Sequence, residues 1–306
     1  MKKNVLKVFC LFMMIITFTC CGVETSNSSS NLTKDRAGND ITIPSKIDKI
    51  ITISPSITET LVDLGLSDKI IGIDTYSTGI EGLNADLPTF DIMAPDTEKL
   101  IALKPDIVFI TSMSEVNGVN PFKPLIDVGI CVACIPTSDS IQSIKEDIEF
   151  LGKVIKQEDK SKVIIKNMED EIDKIKKIGD TILEKKKVYF EIASAPYMYS
   201  FGKNVYLNEM IEMIGATNVL SDQESWISVS EEIILNSNPD VILTNVNYID
   251  NPIEEIKARN GWENISAVKN NQVYYIDNDA SSHSNEFIIK ALKEMAKGIY
   301  PDKYSD

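Results

Sequence analysis

The sequence predicts an α/β protein of two lobes with parallel-rich sheets joined by one long helix, and three observations carry that prediction. Strand and helix patterns alternate through residues 35–138 and again through residues 186–306, which implies parallel sheets covered by helices on both faces. A charged run without strand signals separates them over residues 139–185. Two stretches 134 residues apart also repeat one design, Glu98-Lys-Leu-Ile-Ala-Leu-Lys-Pro-Asp-Ile-Val and Glu232-Ile-Ile-Leu-Asn-Ser-Asn-Pro-Asp-Val-Ile. Each reads as a short acid-headed helix, a Pro-Asp turn and a buried strand. Glu98 and Glu232 are therefore expected at equivalent corners of matched lobes. Matched lobes imply a cleft, and interdomain clefts are favoured small-molecule sites.

The elements follow in order. Lys2, Lys3 and Lys7 precede an apolar run over residues 8–18 that is too short to span a bilayer comfortably, and small residues with Cys20 and Cys21 come next. Residues 1–20 read as an export signal. A cysteine after the run and a Ser/Asn-rich tether over residues 21–34 resemble a bacterial lipoprotein signal, with Cys21 as the lipidated residue; Cys20 and a plain cleaved signal are the alternatives. Residues 49–54 read as a strand, and Ser56-Ile-Thr-Glu59 as a capping box opening a helix that stops at Gly65. Further strands are expected near residues 70–73, 106–111 and 130–135, with helices near 97–103 and 121–128. In the connector, Val163, Ile164, Met168, Ile172 and Ile175 recur at helical spacing, which predicts a stiff helix that limits hinge opening. The second lobe restarts with a strand at 187–192 and a helix at 207–214 ending at Gly215. Strands near 241–245 and 273–276 and a closing helix at 285–297 complete it.

Composition narrows the function. The 306 residues are 43% apolar, enough for two ordinary domains. Loss of Lys2, Lys3 and Lys7 with the signal takes the formal charge from -15 to -18, because residues 1–20 hold no acid. Such a surface repels nucleic acid, and with Arg36 and Arg259 the only arginines, phosphate recognition by guanidinium forks is disfavoured. Cys131 and Cys134 sit three apart on a predicted strand and point to opposite faces, so buried thiols are expected rather than a bridge. One histidine, no metal-ligand spacing, no phosphate loop and no nucleophile elbow leave no catalytic residues to assign. The cluster Ser281-Ser-His-Ser284 would need an orienting acid and oxyanion donors to act as a hydrolase.

The pieces Ile51-Thr-Ile-Ser-Pro-Ser-Ile-Thr-Glu-Thr60, Ala102-Leu-Lys-Pro-Asp106, Asn238-Pro-Asp240, Gly261-Trp262 and Ala267-Val-Lys-Asn270 occur in that order. With the signal and the two lobes, they resemble the solute-binding lipoproteins of ABC importers for iron-siderophores, haem and cobalamin, over residues 35–304. The resemblance implies a class III periplasmic-binding-protein-like fold and an exported, lipid-anchored monomer without cofactor. It also implies delivery of a small molecule to a permease and ATPase complex. Ser225-Trp-Ile-Ser-Val-Ser-Glu-Glu232 and Tyr199-Ser-Phe-Gly-Lys-Asn-Val-Tyr-Leu-Asn208 are most similar to cobalamin-binding members. In those, aromatic rings enclose the corrin; the matching positions are Tyr76, Phe90, Tyr199 and Trp226. Tyr76 and Phe90 follow predicted strands and compete with a role covering the sheet's edge. Two departures stand out: Thr111 replaces a cleft aromatic, and His283 replaces an arginine before the last helix. His283 is assigned to the ligand site as a donor or axial ligand, with a solvent-exposed loop as its alternative. Haem or a ferric siderophore is the rival ligand, and a surface enzyme or adhesin the rival class. Glu98 and Glu232 match the family's glutamates that pair with permease arginines.

Overall fold

The computed structural model describes residues 32–114 and 120–304; the predicted export signal, Cys21 and most of the predicted tether lie outside them. In the N-terminal lobe the chain runs β1 (Ile50–Ile53), α1 (Pro55–Asp63), β2 (Ile70–Asp74), β3 (Thr89–Phe90), α2 (Thr97–Ala102), β4 (Ile107–Ile110), α3 (Lys123–Asp127) and β5 (Cys131–Cys134). The strands form a parallel sheet in the order β3-β2-β1-β4-β5. After two linking helices, α4 (Ile141–Val154) and α5 (Glu158–Gly179), the C-terminal lobe begins with β6 (Lys187–Glu191). It continues through β7 (Tyr199–Phe201), α6 (Tyr206–Met213), β8 (Thr217–Asn218), β9 (Trp226–Ser228), α7 (Glu231–Ser237) and β10 (Val241–Thr244). The chain closes with α8 (Pro252–Lys257), α9 (Ser266–Lys269), β11 (Val273–Tyr275), α10 (Asn278–Ser282) and α11 (Ile288–Ile299). Its parallel sheet has the order β11-β10-β6-β8, flanked by an antiparallel β7-β9 ribbon. In both sheets the strand order reverses at the centre, between β1 and β4 and between β6 and β10. A crevice forms at such points beyond the carboxyl ends of the strands.

The repeat holds at the level of atoms. Lys104 and Asn238 both turn through left-handed backbone, with φ of 51° and 45°. Asp106 then accepts the backbone N–H groups of Asp48 and Lys49 at 2.8 and 2.9 Å, and Asp240 accepts that of Lys187 at 2.8 Å. Each aspartate thus ties the second central strand to the start of the first, setting Ile107 beside Ile50 and Val241 beside Val188. Replacing Asp106 with alanine should cost about 1–2 kcal/mol, since both amides lose a charged acceptor at a half-exposed site. A urea titration monitored by circular dichroism measures that loss; an unchanged midpoint would show that water replaces the carboxylate without penalty.

The connector differs from the single helix expected over residues 139–185. Helix α4 ends at Val154, and Gln157 N–H bonds back to Gly152 O at 2.7 Å across Lys156, whose φ is +60°. This 6→1 bond is a Schellman stop with lysine in the place usually held by glycine. The chain then reverses. Lys145 pairs with Glu169 at 2.8 Å, while a Cβ on Gly152 would fall 2.2 Å from Ser161 Oγ, so α4 and α5 are antiparallel and tightly apposed. Ile141 and Ile144 pack in the core of the second lobe, and Phe150, Leu151 and Val154 in that of the first. Returning along α5, Lys160 caps Leu64 O at 2.8 Å, and Met168, Ile172 and Ile175 rejoin the second core. Three passes of chain therefore link the lobes, counting residues 135–140, α4 and α5. Cys131 and Cys134 lie on β5 outside any disulfide, and burial, with the Asp35 charge behind it, pushes the Cys131 thiol up to about 11. A thiol held so far above neutral pH is inert.

Candidate ligand cleft

Residues that follow the carboxyl ends of all five N-lobe strands converge on one cavity of about 290 Å³. Ser54 to Ile57 come from β1, Tyr76 from β2, Ile92 and Met93 from β3, Thr111 and Met113 from β4, and Ile135 to Thr137 from β5. Ile148 and Leu151 of α4 supply one wall, and Ser282, His283 and Ser284 reach in from the other lobe. A second interlobe cavity of about 360 Å³ lies alongside. Tyr76 and His283 line both, and so form the partition between them.

Local chemistry places these two side chains. Asp74, fully buried at the end of β2, accepts the N–H groups of Tyr76 and Ser77 at 2.8 and 3.1 Å and the Ser77 hydroxyl. That tight turn faces the Tyr76 ring outward, leaving it 73% exposed. His283 follows α10, where Asp277 caps Ala280 N–H at 2.9 Å. Its Nδ1 meets Glu59 Oε2 at 2.9 Å, and Asn285 Nδ2 donates to the same oxygen at 2.6 Å. Burial pulls the imidazole pKa down, but the Glu59 contact and the charges of Asp279 and Asp74 outweigh it, so the net shift is upward. His283 is thus half-buried and held against the opposite lobe rather than loose in solvent. The contact also corrects the capping-box assignment of Ser56 and Glu59. Helix α1 starts at Pro55 after Ser54, and Glu59 turns across the cleft instead of back to its own helix end.

Charge distinguishes the two cavities. In the first, Asp147 is bound to Arg36 and Ser138, and among the described residues no lysine or arginine lines the wall. The second collects Glu59, Asp63, Glu81, Asp277 and Asp279 around one lysine, Lys290, which is paired with Asp277. The cleft is therefore apolar on one side and acidic on the other.

Not every aromatic assigned to the ligand reaches the cleft. Phe90 is 4% exposed, packed with Ile51, Ile92 and Val108, so the edge-covering role prevails and its ligand assignment is corrected. Trp226 lies on β9 and stacks edge-on against Phe201 at 5.9 Å and Tyr206 at 6.3 Å. It supports the second core and lines neither cavity. Tyr199 stands half-exposed on β7 opposite Ser228, also outside both cavities. Met93 and Met113 were not foreseen, although their place just beyond the ends of two parallel strands was the available signal. Glu98 and Glu232 occupy the second positions of α2 and α7, exposed and without an ion pair among the described residues.

Two parallel-sheet lobes, three linking passes and a cleft beyond the carboxyl ends of the N-lobe strands define a solute receptor. The chain belongs to the periplasmic binding protein family, whose description matches residues 50–280, and is a substrate-binding component of an ABC importer rather than an enzyme. It is 33% identical to an uncharacterized ABC transporter substrate-binding lipoprotein, YvrC of Bacillus subtilis, over 89% of this chain and 86% of that protein. A possible iron-binding, periplasmic solute-binding protein of Staphylococcus epidermidis superposes with a TM-score of 0.74 at 30% identity, covering 84% of this chain and all of that one. A cobalamin-binding protein of Halobacterium salinarum is 22% identical over 87% of this chain and 73% of its own length. Proteins of this kind bind small ligands and work with a permease and an ATPase.

Proposed function

We propose that the chain captures cobalamin or a related corrinoid between its lobes and is held at the outer face of the cytoplasmic membrane by a lipid on Cys21. The charge of the cleft carries the choice of ligand. Haem carboxylates and catecholate siderophores are anionic, and among the described residues both cavities offer them one lysine, already neutralised. Uncompensated acids lower the local concentration of anions and impose no such penalty on neutral or cationic ligands. A corrinoid is a broad disc with an amide fringe, suited to apolar wall, ring faces and a few hydrogen bonds. Tyr76, Met93 and Met113 supply apolar area, and His283 with Ser282 and Ser284 supplies polar groups. A ligand of that breadth occupies both cavities, with the Tyr76–His283 partition displaced. The cobalamin-binding relative supports the same ligand class; the similarity to the S. epidermidis protein keeps an iron complex as the rival.

Calorimetric titration of residues 22–306 with cyanocobalamin, cobinamide, haemin and a ferric hydroxamate should show one-to-one binding of the corrinoids alone. Tyr76→Ala should weaken it roughly thirtyfold, the effect of losing about 2 kcal/mol of buried ring contact. Binding of haemin or the hydroxamate in place of the corrinoids would overturn the ligand and leave the family intact.

A further inference from the structure

The segment 282–286 reaches out of the second lobe and makes its polar contacts on α1 of the first. Besides the two contacts to Glu59, Asn285 Nδ2 lies 3.4 Å from Ser56 O, and Thr60 Oγ1 donates to Glu286 Oε2 at 2.7 Å. The segment's other end is fixed in its own lobe. Asn245, at the carboxyl end of β10, donates to Ser281 Oγ at 2.9 Å and Ser282 Oγ at 3.2 Å, and Tyr206 donates to Ser281 O at 2.7 Å. Glu286 is 8% exposed, and its Oε1 has no partner among the described residues. A buried carboxyl with one unused oxygen is costly in its ionised form.

We propose that residues 282–286 form a polar latch across the lobes, which divides one continuous interlobe cavity in two and releases more readily as pH rises. The groups that face it are mostly acids: Glu59 and Asp63 from α1, Asp74 at the end of β2, and Asp277 and Asp279 at the start of α10, with Lys290 of α11 held by Asp277. No cation pairs with Glu286 among the described residues. Both titrating members act in one direction. Burial first, with Asp63 and Glu59 behind it, raises Glu286 from 4.5 to about 7, so the closed latch favours its protonated form. That contribution is complete below about 4.5 and is lost as pH climbs to about 7. His283 is also raised in the closed state, above its ordinary 6.5, so its contribution is present below that value and lost as pH rises through the raised one.

The latch needs no assumption about the ligand, and its test uses the protein alone. Spin labels at exposed Asp86→Cys and Asp222→Cys, one on each lobe, report lobe separation in ligand-free residues 22–306 at pH 5.5 and 8.5. The separated population should grow at least about tenfold across that interval, since both groups release their protons more readily once the latch opens. Glu286→Gln, isosteric with the protonated acid, should flatten the lower part of the profile, and His283→Gln the upper part. Distance distributions that coincide at both pH values, or variants that keep the full response, would overturn the latch. Should Glu286→Gln fail to fold, the unsubstituted profile and His283→Gln still decide.

Discussion

Replacing Glu98 and Glu232 together with alanine is expected to abolish uptake while leaving ligand affinity in solution unchanged. Both carboxylates sit at the second position of a short helix that leads, through a left-handed residue and a Pro-Asp turn, into a central strand. Both are exposed, and neither has an ion-pair partner among the described residues. The first-turn position alone stabilises each helix by only about 0.5 kcal/mol through the helix dipole, too little to explain two unpaired acids at matched corners. Docked on arginines of a permease, each desolvated pair would lose about 2 kcal/mol or more on truncation, so the double variant should bind its permease on the order of a thousandfold more weakly. Transport into membrane vesicles and calorimetry of the soluble protein separate the two effects. Normal uptake by the double variant would remove the docking assignment.

The second large effect concerns the floor of the second lobe. Glu191 ends β6 fully buried and receives Arg259 through two parallel bonds of 2.6 and 2.8 Å. The same guanidinium holds Glu255 and Ser194 and lies 4.6 Å from the centre of the Trp262 ring. Arg259→Met should cost about 3–5 kcal/mol, because it leaves Glu191 buried without its counter-charge. Burial raises the Glu191 carboxyl and the guanidinium opposes that rise, so the substitution leaves burial unopposed. A carboxyl raised in the folded state contributes stability below its ordinary value of 4.5 that is lost as pH rises. The variant should accordingly fall further below the unsubstituted protein in thermal unfolding at pH 8 than at pH 5. Adding Glu191→Leu should recover part of the loss, since a buried pair replaced by apolar groups is often neutral. Equal melting of Arg259→Met and the parent would show that water reaches Glu191.

Much of the architecture is legible in the sequence. The strands predicted near residues 49–54, 70–73, 106–111 and 130–135 correspond to β1, β2, β4 and β5 within a residue or so at each end, because fully buried parallel strands read as short apolar runs bounded by turn residues. Strands β3, β7, β8 and β9, each two or three residues long, were missed; runs that short carry no periodicity to detect. The sequence predicts one helix for the connector because Lys156, not glycine, occupies its left-handed stop. Such a stop is set by the packing of Gly152 against Ser161 from the returning helix, nine residues further on.

The sequence by itself determined the two matched lobes, the equivalence of Glu98 and Glu232, and membership of the binding-protein family, since all three rest on local patterns and their order along the chain. Only the tertiary structure decided what meets in the cleft. Tyr76 and Phe90 both follow or end a strand, yet Asp74 turns one ring to the opening while apolar neighbours take the other into the core. Glu59 had the spacing of a capping residue, but His283 and Asn285, 224 and 226 residues away, present it with two nitrogens at one oxygen. A side chain's direction follows from which partners lie within reach, and across a cleft those partners come from the other lobe.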